Sequence, residues 1–271
     1  MDSTQSSTDP YAHLRGVPER DIILQAVTQD DLPVPKAIEE IVKLTTAAAA
    51  PSSAQNALYM HAIHVSVTIH NLAMRIPHNQ QSKLIDFVVR LQQVAVPDPS
   101  TGGIIQLENE DFWSDMPQMS LTLADYHYTG SSKGTAEEQS RNFENCTAYV
   151  AQLSEIGFSF YRESTDWNYS QLTRVLGPDQ PTRSEIRIVC FWFIYAPNKV
   201  WLDVQAKDID MFDNQNNGDD QRLLPEFWPK WKNLLQACQH NTTGQQLDED
   251  TQELIRHALE NIGRIEAERG S

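Results

Sequence analysis

Along this chain, apolar residues recur mostly at the three- and four-residue steps that mark one face of a helix. Leu58, Ala62, Val65, Ile69, Leu72 and Ile76 form one stripe of the kind that a helix lays against a core. Met60, Ile63, Val67 and Met74 spread apolar surface over the remaining faces, so this helix is expected near the centre of a bundle. Ile38, Ile41, Val42 and Leu44 mark an earlier helix, and "PERDIILQAV" an earlier one still, with Pro18 suited to its first turn. Leu84, Phe87, Val88, Leu91, Val94 and Ala95 follow as a one-sided helix, read from its short connection as an antiparallel neighbour of the central one.

Further along, Phe143, Cys146, Thr147, Val150 and Leu153 predict a helix stopped by Gly157, and "YSQLTRVLG" a short one stopped by Gly177. Phe227, Trp231, Leu234, Leu235 and Cys238 predict another, with Pro229 confined to its first turn. A last helix runs from an N-cap at Asp248 through Leu254, Ile255, Ala258, Ile262 and Ile265. The ambiguous piece is "SEIRIVCFWFIYAPNKVWLDVQ", rich in the β-branched and aromatic residues of strands. Its apolar run is longer than a strand uses and has no partner strand, so it is read as a buried helix. Connectors are expected at "TTAAAAPSSAQ", whose Pro51 and serines could end one helix and cap the next, and at "VPDPSTGG", "TGSSKGTAEE" and "DMFDNQNNGDDQ". The fold class is therefore all-α: a polar, disordered arm over 1–16, then one multi-helix bundle of about eight helices over 17–268.

Composition narrows the partners. A net charge of −16 and a pI near 4.8 oppose phosphate backbones and anionic lipid, so neither nucleic acid nor a membrane surface is expected. The opening residues show no signal-peptide pattern and no stretch is long and apolar enough to span a bilayer, which points to the cytoplasm. Cys146, Cys190 and Cys238 are read as reduced thiols packed as small hydrophobes. The Asn-x-Ser/Thr triplets at Asn145, Asn168 and Asn241 are read as chance.

Candidate chemistry clusters in two places. "MHAIHVSVTIH" puts His61 and His64 one helical turn apart, with His70 displaced round the helix. A catalytic zinc would need a third ligand, and no metal motif stands nearby, so no metal is assigned; His64 is instead the candidate acid, base or donor. "DFWSDMPQM" and "LADYHY" bring Asp115 and Asp125 as secondary catalytic candidates. Either needs burial to raise its pKa toward neutrality, and capping a helix entrance is the plainer role. His61, Trp113, Tyr126, Trp192, Tyr195 and Trp231 are the candidate substrate-binding walls. "GSSKG" does not meet the phosphate-loop pattern, and no nucleophile elbow or dinucleotide fingerprint occurs, so no cofactor is expected.

Taken in order, "ALYMHAIHVSVTIHNLAMRIPHNQQSKLIDFVVRLQQV", "FWSDMPQM", "RNFENCTAYVAQL", "FWPKWKNLLQACQ" and "DTQELIRHALENIGRIE" resemble a large fungal family catalogued as a domain of unknown function (DUF family 3632). The likeness covers roughly residues 55 to 265. The resemblance implies an all-helical fold and a fungal source, with members often beside secondary-metabolite genes; it carries over no site residue. The leading expectation is a cofactor-independent cyclase, pericyclase or isomerase holding a small hydrophobic substrate in a helical pocket, with a homodimer left open. The alternatives are a non-catalytic interaction or regulatory module whose aromatic residues are core, and a helical metal protein built on His61 and His64.

Overall fold

The computed structural model describes residues 14–29, 31–119, 121–123, 135–157, 171–177, 179–206, 225–240 and 246–269. Its class is all-α. Among the described residues nine α-helices stand beside a single two-stranded hairpin. The chain divides into two compact units, Met1–Asn145 and Cys146–Ser271.

The first unit opens with Leu14, which is buried, so ordered core begins inside the span expected to be a polar arm; residues 1–13 lie outside the described ones. Helix α1 (Pro18–Leu24) has its proline in the first turn and continues into a π-helical turn, Gln25–Gln29. Helix α2 (Val34–Ala48) buries Ile38 and Ile41. Helix α3 (Ala57–Arg75) is buried on all sides from Val65 to His70, as its apolar girth predicts, whereas Tyr59 and Met60 at its start are exposed. Helix α4 (Ser82–Gln92) packs chiefly on α2 rather than on its chain neighbour α3. Loop length made those two helices adjacent in sequence; matching apolar faces chose the contact.

Two tertiary caps finish α3. Gln81 Nε2 donates to Ala73 O and Ile76 O, and Asn145 Nδ2 donates to Met74 O at 2.9 Å. The last carbonyls of a helix have no partner within it, and here side chains 8 and 71 residues away supply one. Asn145 is buried in that role, so its triplet is no glycosylation acceptor; Asn168 and Asn241 lie outside the described residues. The serines of "TTAAAAPSSAQ" do not cap α3; Ser53 Oγ instead donates back to Ala47 O at the end of α2.

Strands β1 (Gln106–Leu107) and β2 (Glu110–Asp111) pair antiparallel, an element that the sequence pattern did not announce. The two linking residues, Glu108 and Asn109, both have positive φ, 56° and 70°, the geometry of a type I′ turn.

Helix α5 (Ala136–Glu155) runs through the boundary between the units. It starts seven residues before the first apolar position that predicted it, at a capping box: Thr135 Oγ1 accepts from Glu138 N while Glu138 Oε2 accepts from Thr135 N. The "TAEE" read as connector is that box. Gly157, with φ of 81°, ends the helix as expected.

In the second unit, α6 (Arg183–Tyr195) is the ambiguous apolar segment, and it is helical. A Thr182/Glu185 capping box starts it, and α7 (Pro197–Gln205) begins at the proline that ends it. Helix α8 (Phe227–Gln239) carries Pro229 in its first turn. Helix α9 (Glu249–Arg269), capped by Asp248 Oδ1 on Thr251 N at 2.8 Å, packs along α6 and α8 and buries Leu254, Ile255, Ala258, Ile262 and Ile265. The three cysteines are buried and unbridged. Among the described residues no helix is long and apolar enough to cross a membrane.

The left-handed backbone at Glu108 costs a non-glycine residue about 1 kcal/mol. Replacing Glu108–Asn109 by Asn–Gly, the pair this turn favours, is expected to raise the melting temperature by roughly 2–4 °C; circular-dichroism melts of the two chains measure it.

Candidate functional site

Among the polar groups buried in the first unit, His61 engages both of its ring nitrogens. Its Nδ1 lies 2.7 Å from Glu19 Oε1 of α1, and its Nε2 lies 3.0 Å from Thr45 Oγ1 of α2. Trp113, just past β2, donates its indole N–H to the same hydroxyl at 3.2 Å. The Phe112 ring stacks on the imidazole at 5.9 Å and meets Trp113 edge-on at 4.6 Å. One imidazole therefore joins three helices and the turn after the hairpin.

The hydrogens can be placed in two ways. The Thr45 hydroxyl also has Ile41 O within 2.8 Å. With His61 charged, Thr45 donates to Ile41 O and accepts from both the imidazolium and the indole. With His61 neutral, Thr45 donates to Nε2, and Ile41 O keeps its helical partner. Either arrangement satisfies every group, which is why an ionisable cluster can sit in an apolar interior. For Glu19, burial works to push the carboxyl up, but the hydrogen bond from His61 and the fields of His61 and His64 outweigh it and hold the group below the usual carboxylate range.

Carboxylate, imidazole and hydroxyl here follow the order of a hydrolytic triad. The hydroxyl cannot serve as a nucleophile in this arrangement: Thr45 is fully buried and committed to His61, Trp113 and Ile41. His64 stands at the edge of the group. A quarter of its side chain is exposed, and its Nδ1 is 3.7 Å from Glu19 Oε2. His61, then, takes the buried, partnered role that the spacing left open for His64. His70 is fully buried one face away, and burial pulls its pKa down to about 4.

The other candidates are dispersed. Asp115 is exposed; its Oδ2 accepts from Asp111 N at 2.7 Å, so it ties a surface turn and lacks the burial that proton transfer at neutral pH would require. Asp125 and Tyr126 lie outside the described residues. Trp192 and Trp231 are fully buried in the second unit, where Trp231 donates to Leu172 O at 2.7 Å and meets Phe193 at 5.7 Å. Tyr195 is half-buried, stacked on Phe191 at 6.4 Å, and burial raises its phenol. Trp228, not among the candidates, belongs to the same aromatic cluster: it packs edge-on against Phe193 and Trp201 and donates its indole N–H to Glu266.

Hollows among the described residues include a small one and a groove. One, of about 130 Å³, is lined by Val94, Val96, Ile104, Ile105, Phe112 and Trp113 among others, well under the roughly 300 Å³ at which drug-sized ligands begin to fit. The other is an open polar groove of about 500 Å³ between the end of α8 and the start of α9. Neither is lined by Trp192, Tyr195 or Trp231. Among the described residues no group of three or more His, Cys, Asp or Glu side chains could hold a metal ion, and both nitrogens of His61 are already engaged.

Sequence reading did not find Glu19 or Thr45. Glu19 has the look of an acid favoured by a helix's first turn, and Thr45 of an ordinary helical threonine. They meet His61 across 42 and 16 residues, beyond any local signal.

These features define an all-α protein with a buried carboxylate–imidazole–hydroxyl cluster in its first unit. The chain belongs to the family described as "Protein of unknown function (DUF3632)", whose model matches residues 67–235, more than half of the 271. Of the cluster, Trp113 falls inside the matched span and Glu19, Thr45, His61 and His64 precede it. No curated protein and no solved structure matches the chain.

Replacing His61 by Phe strands a buried carboxylate and should cost about 3 kcal/mol, against less than about 1 for His64→Phe; urea unfolding midpoints separate the two. His70 binds its proton near pH 4 when folded and near 6.5 when unfolded. The unfolded chain thus takes up the proton first on acidification, and stability should fall by about 3 kcal/mol between those values. Unfolding curves across that range should show a flatter slope in His70→Met.

Proposed function

We propose that this chain is a non-catalytic interaction module of fungal specialised metabolism, an acidic helical body that docks a basic partner. The observation that carries the reading is the fate of the aromatic side chains. Trp192 and Trp231 have no exposed surface and Trp113 almost none, and the rings around them are interlocked edge to face. Rings spent on a solid core stabilise a scaffold and do not wall a substrate cavity. The net charge of −16 then supplies what such a body offers a partner: a field that steers and selects a basic surface. The fungal and metabolic setting comes from the family resemblance.

A second reading, a cofactor-independent cyclase, pericyclase or isomerase acting on a hydrophobic intermediate, is favoured by one feature. His64 is open to solvent beside the ionised Glu19, a pairing able to take up and return a proton.

The tagged chain, cross-linked in the producing fungus, is expected to bring down a partner with a Lys/Arg-rich surface. The purified pair should bind at least about tenfold more weakly at 500 mM than at 50 mM salt. Binding indifferent to salt would refute the docking reading. Accumulation of a linear precursor after gene deletion, reversed by the wild-type chain and not by His64→Gln, would move the assignment to the enzyme.

A further inference from the structure

Helix α1 is weakly built on its own account. It has seven residues and no side-chain cap at its start, and isolated helices of that length do not persist in water. It is held by what it buries, Ile23 and the carboxylate of Glu19, with Ala26 and Val27 of the following π-helical turn. Glu19 is the part of this attachment that carries charge.

We infer that Glu19 and its two imidazoles form an acid-sensitive latch on α1, opened when Glu19 gains a proton. The two oxygens of Glu19 are used unequally. Oε1 is bonded to His61 at 2.7 Å, while Oε2 faces His64 at 3.7 Å, short of a hydrogen bond. His61 is fixed by its second bond to Thr45, so the adjustable partner is His64, whose ring reaches solvent. Helix α3 brings both imidazoles to Glu19, and these are the charges acting on it. Helix α2 brings the uncharged Thr45 to the cluster, and the π-helical turn carries no titratable residue. The charges on α1 itself include Arg20 and Asp21, which pair with each other at its surface.

The sign follows from the charges. Glu19 is held below its ordinary value of 4.5; its contribution is complete above that value and is lost as pH falls through its lowered one. Beyond that point α1 carries a neutral acid without its ionic hold on α3, and the helix lifts from the faces of α2 and α3 that it packs against. Attachment of α1 is therefore weakened by acid. Nothing in the latch depends on which reading of the chain's function holds.

Hydrogen exchange of the full chain, corrected for intrinsic rates, tests it at about pH 8, 6 and 4. Protection of residues 19–29, relative to residues 65–74 of α3, is expected to be about two- to fivefold lower at the lowest pH, which lies below the ordinary Glu19 value of 4.5. His64→Gln, a change at a partly exposed position that leaves the His61 bonds intact, removes one of the fields that lower the Glu19 pKa and should make the fall shallower. Glu19→Gln should abolish the fall. A fall that persists unchanged in Glu19→Gln, or α1 and α3 exchanging in step at every pH, would overturn the latch.

Discussion

Organisation of the first unit depends on the two hydrogen bonds of one buried imidazole. A histidine in an apolar interior is tolerated only when both ring nitrogens are accounted for. His61 meets that condition by reaching in opposite directions, to Glu19 on α1 and Thr45 on α2. Because Trp113 bonds to the same threonine, the condition fixes the turn after the hairpin as well. Hydrophobic burial would hold these elements together in many orientations, whereas the directional bonds select one.

Tryptophan plays the corresponding part in the second unit. Trp231 and Trp228 each bury a large ring and place the indole N–H on an acceptor far along the chain, Leu172 O and Glu266 respectively. The segments that carry the family resemblance share this property. Gln81 caps α3, Trp113 anchors on Thr45, and Trp228 and Trp231 tie α8 to distant partners. Each of these side chains fills space and satisfies a group that its own neighbours cannot reach. The segments that resemble the family thus include residues that hold the fold together.

Chemistry and architecture are therefore hard to separate in this protein. The carboxylate, imidazole and hydroxyl that would suit catalysis are consumed in holding helices together, and the rings that would suit a pocket are consumed in packing. Among the described candidates, His64 combines access to solvent with a carboxylate neighbour. Its place beside Glu19 underlies both the proposed enzymatic reading and the proposed latch on the N-terminal helix.

Periodicity by itself determined the all-α class, the positions of α2, α3, α4, α8 and α9, and the helical state of the Arg183–Tyr195 segment, because these follow from spacing, length and the placement of prolines. Local chemistry held the start of α5 and the hairpin turn less visibly: the Thr135/Glu138 box precedes its helix's apolar face by a full turn and more, and Glu–Asn is an uncommon pair for a type I′ turn. Only the tertiary structure decided that α4 sits on α2, that the tryptophans close a core, and that His61 rather than His64 is the buried, partnered histidine. Those outcomes turn on contacts between residues such as Thr45 and His61, 16 apart, and Trp113 and Thr45, 68 apart. Backbone geometry relates side chains within a few turns of one another, and past that range only packing says which will meet.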